Sequence, residues 1–129
     1  MPALTLAEVS AAAARISDIY AGKYAIERDD DWFLIKLQEE LGELAQAHLR
    51  LSARGRGEAS EQARADEVAD VLCTLLLYCG RFGIDPEAAV RRKWLAWLED
   101  APRSAPSAGE PQSEEGRAPG GPVGALSTS

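Results

Sequence analysis

Cysteine is scarce in this chain. Cys73 and Cys79 are its only two among 129 residues, and they lie six apart in one apolar run. That spacing turns their side chains away from each other on a helix, which excludes a disulfide framework. Two thiols are also too few for a cysteine-built zinc site. Positive charge is in deficit: 14 Lys and Arg stand against 21 Asp and Glu, for a net charge of −7. Such a balance argues against sequence-indifferent nucleic-acid binding and against docking on anionic lipid. Apolar runs fall well short of the roughly 20 residues a membrane span requires. The N-terminus lacks the basic-then-apolar order of a secretory signal. The expectation is a single domain in a reducing cytoplasm, without membrane or nucleic-acid partners.

Residues 101–129 lack any apolar period. Five prolines and five glycines fall among these 29 positions, and Leu126 is the only large aliphatic residue besides Val123. Burial there cannot offset ordering entropy. The reading is a folded domain over 1–100 followed by a disordered tail over 101–129.

Strand signals are also missing, and what remains is helical. Thr5 and Glu8 have capping-box spacing, and Leu6, Val9, Ala13, Ile16 and Tyr20 recur on one face. A second helix begins in Asp29-Asp30-Asp31, where acidic groups suit a positive helix end. Its expected stripe is Leu34, Leu37, Leu41, Leu44, His48 and Leu51, with His48 a boundary or core residue and Gly42 the mark of a close approach. A third runs from about Ser60 to Gly80 with Val68, Val71, Leu72, Leu75, Leu76 and Cys79 on a broad face, and Cys73 and Leu77 elsewhere. It is apolar nearly all round from Val71 to Cys79, which implies cover from a partner subunit. Asp85-Pro86 opens a fourth helix, with Val90, Trp94, Trp97 and Leu98 as its buried stripe. The fold class is therefore all-α, an antiparallel four-helix bundle completed by oligomerisation.

The chemistry-bearing residues are carboxylates. Glu40 and Glu43 lie three apart, as do Glu67 and Asp70 one helix later, each pair flanking its apolar stripe. If the two helices pack antiparallel, four like charges converge where hydration is poor. They repel and lose solvation unless something positive sits among them. Oxygen donors suit Mg2+ or Mn2+, and magnesium sites commonly take substrate phosphates as further ligands. Against this stands an ordinary solvated acidic face, with Lys36 placed to pair with Glu39 and Glu40. An iron-carboxylate bundle would want an ExxH pairing, and Ala45 stands three before His48.

The run Lys36-Leu37-Gln38-Glu39-Glu40-Leu41-Gly42-Glu43-Leu44-Ala45-Gln46-Ala47, followed by Asp66-Glu67-Val68-Ala69-Asp70-Val71-Leu72, resembles the MazG-like all-alpha nucleoside triphosphate pyrophosphohydrolases. Their mark is EExxE on one helix and ExxD on the next, and the resemblance covers about residues 30–98. It implies cleavage of (deoxy)nucleoside triphosphates between the α and β phosphates, giving a monophosphate and pyrophosphate. It implies Mg2+ or Mn2+ held by Glu40, Glu43, Glu67 and Asp70, with Glu39 orienting or deprotonating the attacking water. Members are dimers or tetramers, so a homodimer or homotetramer is expected. Lys36, Arg91, Arg92 and Lys93 are candidates to balance leaving pyrophosphate, and Lys93 resembles a lysine many relatives carry in their last helix. Where several deoxynucleotide-specific relatives have an asparagine four residues later, this chain has Trp97. Trp97 is a candidate to stack on a base or to pack the core. Trp32 and Phe33 are further candidates for a stacking wall. Two rivals are a phosphoribosyl-ATP pyrophosphohydrolase and a non-catalytic helical interaction module.

Overall fold

The computed structural model describes residues 2–100, and the tail expected over 101–129 lies outside them. The described residues are all helical or connecting, and they fall into two units that divide at Asp85–Pro86.

The first unit holds three long helices, α1 (Leu6–Tyr24), α2 (Asp30–Leu51) and α3 (Glu61–Arg81). Each starts on a side-chain cap. Thr5 Oγ1 accepts from the Glu8 amide at 3.1 Å, Asp29 Oδ1 from Trp32 at 2.8 Å, and Ser60 Oγ from Ala63 at 3.1 Å. The end of α3 is set by Gly83, which takes a φ of 64° while the Ile84 amide donates back to the Cys79 carbonyl. Ala25 closes α1 in the same left-handed region, with a φ of 50°, where an L side chain is strained.

Helix α3 packs on both α2 and α1. Its last residue, Arg81, donates to Asp30 at the start of α2 at 2.8 Å, so α2 and α3 run antiparallel. Arg81 also lies over the Phe33 ring, 5.6 Å from its centroid. The small core consists of Ala13, Phe33, Ala47, Leu76 and Cys79 with Thr74 among them, and both cysteines are free.

The face of α2 that packs is turned from the expected one. Phe33 and Ala47 are buried and Lys36, Leu37, Glu40, Leu44 and Leu51 are partly so, whereas Leu34, Leu41 and His48 are exposed. Lys36 and Glu40 can lie on the inner face because they pair with each other, which a count of leucines does not register. His48 is therefore neither core nor boundary, but one wall of a shallow surface groove with Leu41, Leu44 and Leu49. Among the described residues nothing stands where a Cβ of Gly42 would lie, so no close approach within them explains it. On α3, Cys73 and Leu77 are half-buried, while Val68, Leu72 and Leu75 form an exposed apolar stripe.

The second unit is one helical run: α4 (Pro86–Val90), a π-helical turn (Arg91–Leu95) and α5 (Ala96–Asp100). The π turn widens the helix and breaks the 3.6-residue phase on which the expected stripe was drawn. Val90, Trp94, Trp97 and Leu98 are all exposed. A single rod offers them no second element within its unit.

Candidate functional site

Antiparallel packing of α2 on α3 brings Glu40 opposite Glu67 and Asp70. One carboxylate oxygen from each lies within 4.8 Å of the others. Glu40 is the most enclosed of the α2 acids near the cluster, with a side chain only 14 % exposed against 58 % for its neighbour Glu39. Glu43 is not part of the trio, although its charge is felt at Glu67.

The electrostatics follow from the crowding. Burial pushes the Glu67 carboxyl above its ordinary pKa, and the charges of Asp70, Glu43, Glu40 and Asp66 push the same way. Asp70 is raised by burial and then by Glu40 and Asp66, with Lys36 opposing. Lys36 is the resident counter-charge. Its Nζ lies 3.0 Å from Glu40 and 3.3 Å from Glu39. Partial burial pulls the ammonium down, but its hydrogen bonds to Glu40 and Glu39 and their charges outweigh that, and its pKa stands above the usual lysine range. The surface-pairing and convergent-carboxylate expectations thus meet in one place. Lys36 pairs with both tandem glutamates, and Glu40 still faces the α3 acids.

Beside this cluster, α1, α2, α3 and the α1–α2 connection border a half-open cavity of about 470 Å³, a size usual for small-molecule sites. Lys36 and Asp70 belong to its wall, as does Trp32, which stands edge-on to Phe33 at 5.0 Å between centroids. Most of the remaining wall is apolar and includes Ile16, Tyr20, Ile26 and Leu77. Sequence reasoning missed Ser17, Arg28, Cys73 and Thr74, which also line it. Trp32 and Lys36, four apart, share one side of α2, but Arg28 lies in the connection before the helix, where helical spacing carries no signal.

The remaining candidates lie in the second unit. Arg91, Arg92, Lys93 and Trp97 are exposed, and Arg92, Lys93 and Trp97 border a shallow pocket with Ala96 and Asp100.

Three carboxylates presenting oxygens at this spacing form a hard, anionic donor set that fits Mg2+ or Mn2+ and not a thiophilic ion. No protein-family model, curated protein or solved structure matches this chain. No helix among the described residues is long and apolar enough to cross a membrane.

Proposed function

We propose that this protein is a divalent-metal-dependent nucleoside triphosphate pyrophosphohydrolase that cleaves the α–β phosphate bond. The observation that carries the reading is the convergence of Glu40, Glu67 and Asp70 from antiparallel helices, next to a small-molecule-sized cavity that Asp70 and Lys36 line. The motif resemblance supplies the reaction.

Glu40, Glu67 and Asp70 would hold Mg2+ or Mn2+, with Glu43 contributing its charge nearby. When bound, the ion supplies charge neutralisation for the triphosphate and electrophilic help at the α-phosphorus. Glu39 reaches solvent while held by Lys36, which suits it to orient an attacking water and accept its proton. Lys36 is already shared between Glu39 and Glu40, so it can turn part of its charge to a phosphate oxygen without leaving the site. Trp32 offers the cavity an aromatic wall for the organic part of the substrate. The role of Lys93 toward leaving pyrophosphate rests on the resemblance, those of Arg91 and Arg92 on their charge, and that of Trp97 toward a base on its aromatic ring at a position where the resemblance breaks off.

A second copy of the chain belongs to this reading. Val68, Leu72 and Leu75 expose an apolar stripe at helical spacing, and Ile16, Ile19 and Tyr20 do the same on α1. Surfaces of this kind mark association sites, and a homodimer or homotetramer would cover them.

The test is a thermal melt with and without Mn2+, coupled to pyrophosphate release from a mixed nucleotide pool. Wild type should melt higher with Mn2+ and release pyrophosphate. An equal shift in wild type and Glu40→Gln, or no release by wild type, would defeat the reading in favour of a helical interaction module.

A further inference from the structure

Apart from Lys36 and Asp70, one charged side chain lines the cavity. Arg28, just before α2, lines it with a side chain only 23 % exposed. Its Nη2 donates to Asp18 Oδ1 at 2.8 Å, and its Nη1 donates to Ser17 Oγ at 2.7 Å. Ser17 also lines the cavity, whereas Asp18 is largely in solvent, 71 % exposed. The guanidinium is thus anchored from outside while bordering the space within. Two donated bonds leave further N–H groups on the fork. Arginine is always charged and its donor geometry is rigid, so it favours a ligand edge carrying adjacent acceptors and rejects one that presents a donor.

Position decides which part of a ligand it meets. Lys36 lies six residues beyond the start of α2, about 9 Å along the axis, with Trp32 between it and Arg28. Phosphates belong at the Lys36 and Asp70 end, where the charged donors for metal and anion lie. A nucleotide held there has its base in the apolar region that Trp32 borders, toward Arg28.

We propose that Arg28, positioned by Asp18 and Ser17, selects the nucleobase, favouring an edge with adjacent acceptors such as guanine O6 and N7 over adenine, whose corresponding edge carries an amino donor. This deepens the hydrolase reading and rests on it for the orientation of the nucleotide, but base selection can be measured without turnover.

The experiment titrates metal-free full-length protein with guanosine and with adenosine, followed by ligand-observed NMR. The same proteins are then assayed for pyrophosphate release from the two triphosphates with Mn2+. Guanosine should bind about tenfold tighter than adenosine, the scale of one bidentate base contact. Arg28→Met should bring the ratio near unity, and Asp18→Asn should lower it partway while leaving Arg28 in place. Arg28→Lys retains the charge and serves if the methionine variant melts early. It should also lose the preference, because a point charge has no fork. Failure of wild type to bind either nucleoside, or an unchanged ratio in both Arg28 variants, overturns the assignment. An Arg28-dependent ratio without pyrophosphate release sustains it and removes the hydrolase reading. Release with a ratio indifferent to Arg28 does the reverse.

Discussion

The two units treat charge in opposite ways. The first gathers Glu40, Glu67 and Asp70 onto facing helices and sets Lys36 among them. The second strings Arg91, Arg92 and Lys93 along one rod, where all three are exposed. The basic run stays solvated because nothing within its unit packs against it. Groups brought in from two packed helices alter each other's proton affinity. A functional reading therefore has more physical support at the carboxylates than at the basic run, although the sequence presents both as charge clusters.

That contrast can be broken most severely at Glu40. Removing its charge as Glu40→Gln should lower pyrophosphate release by about a hundredfold or more, the scale of losing an electrostatic group at a reacting centre. The Mn2+-dependent rise in melting temperature should vanish with it. Retention of both would place the working site elsewhere. Lys93→Met supplies the opposing arm: it should leave the Mn2+ shift intact whatever it does to turnover, and loss of that shift would erase the distinction between the units.

The next effect is on pH dependence. Glu67 and Asp70 have raised folded-state pKa values, so the metal-free folded protein holds protons that the unfolded chain has already released. Their contribution to stability is then most favourable below the ordinary carboxylate range. It is lost as pH rises from that range through the raised values. Metal-free melts across this window should show a stability component that falls with rising pH and disappears in a Glu67→Gln, Asp70→Asn double variant. Mn2+ should reverse the slope, because it binds the deprotonated form. A metal-free slope unchanged in the double variant would mean that other groups control it.

Smaller again is the effect of Lys36→Met. The pair with Glu40 is only partly screened, since the lysine side chain is 34 % exposed. A loss of about 1 kcal/mol or less is expected in the absence of metal. The loss should shrink once Glu40 is also neutralised, and a double-mutant cycle on melting free energies reads that coupling directly. Ala25→Gly should move stability the other way by a few tenths to about 1 kcal/mol, because glycine relieves the left-handed strain at the end of α1. Unchanged or lower stability would mean that the gain is outweighed by unfolded-state entropy.

Helix starts were legible because capping is local. Thr5, Asp29 and Ser60 each act within three residues, and Asp85-Pro86 marks the start of α4 as expected. The pairing of Lys36 with the tandem glutamates could also be read, since one helix sets the spacing. The inner face of α2 could not. Its polar members, Lys36 and Glu40, lie inside as a pair, and which side of α2 is covered depends on where α3 packs, which the spacing along one helix does not give. Glu43 shares a side of α2 with Glu40 by spacing, but spacing gives angle and not depth, and the trio excludes it. The π turn leaves no apolar signature, so the last stripe was drawn on a phase the backbone abandons. The cavity needs three helices and a connection at once, which is why Ser17 and Arg28 escaped notice while Trp32 did not.

Lys36 has a consequence for how such a protein comes into being. A nest of acids that could close only around an imported cation would tie the birth of every new chain to the local supply of that ion. Here the chain brings its own tethered cation, short of full neutralisation but present from synthesis onward. Under the proposed function, shape and ion loading would be separable events, and the pocket could stand ready before an ion arrived to fill it.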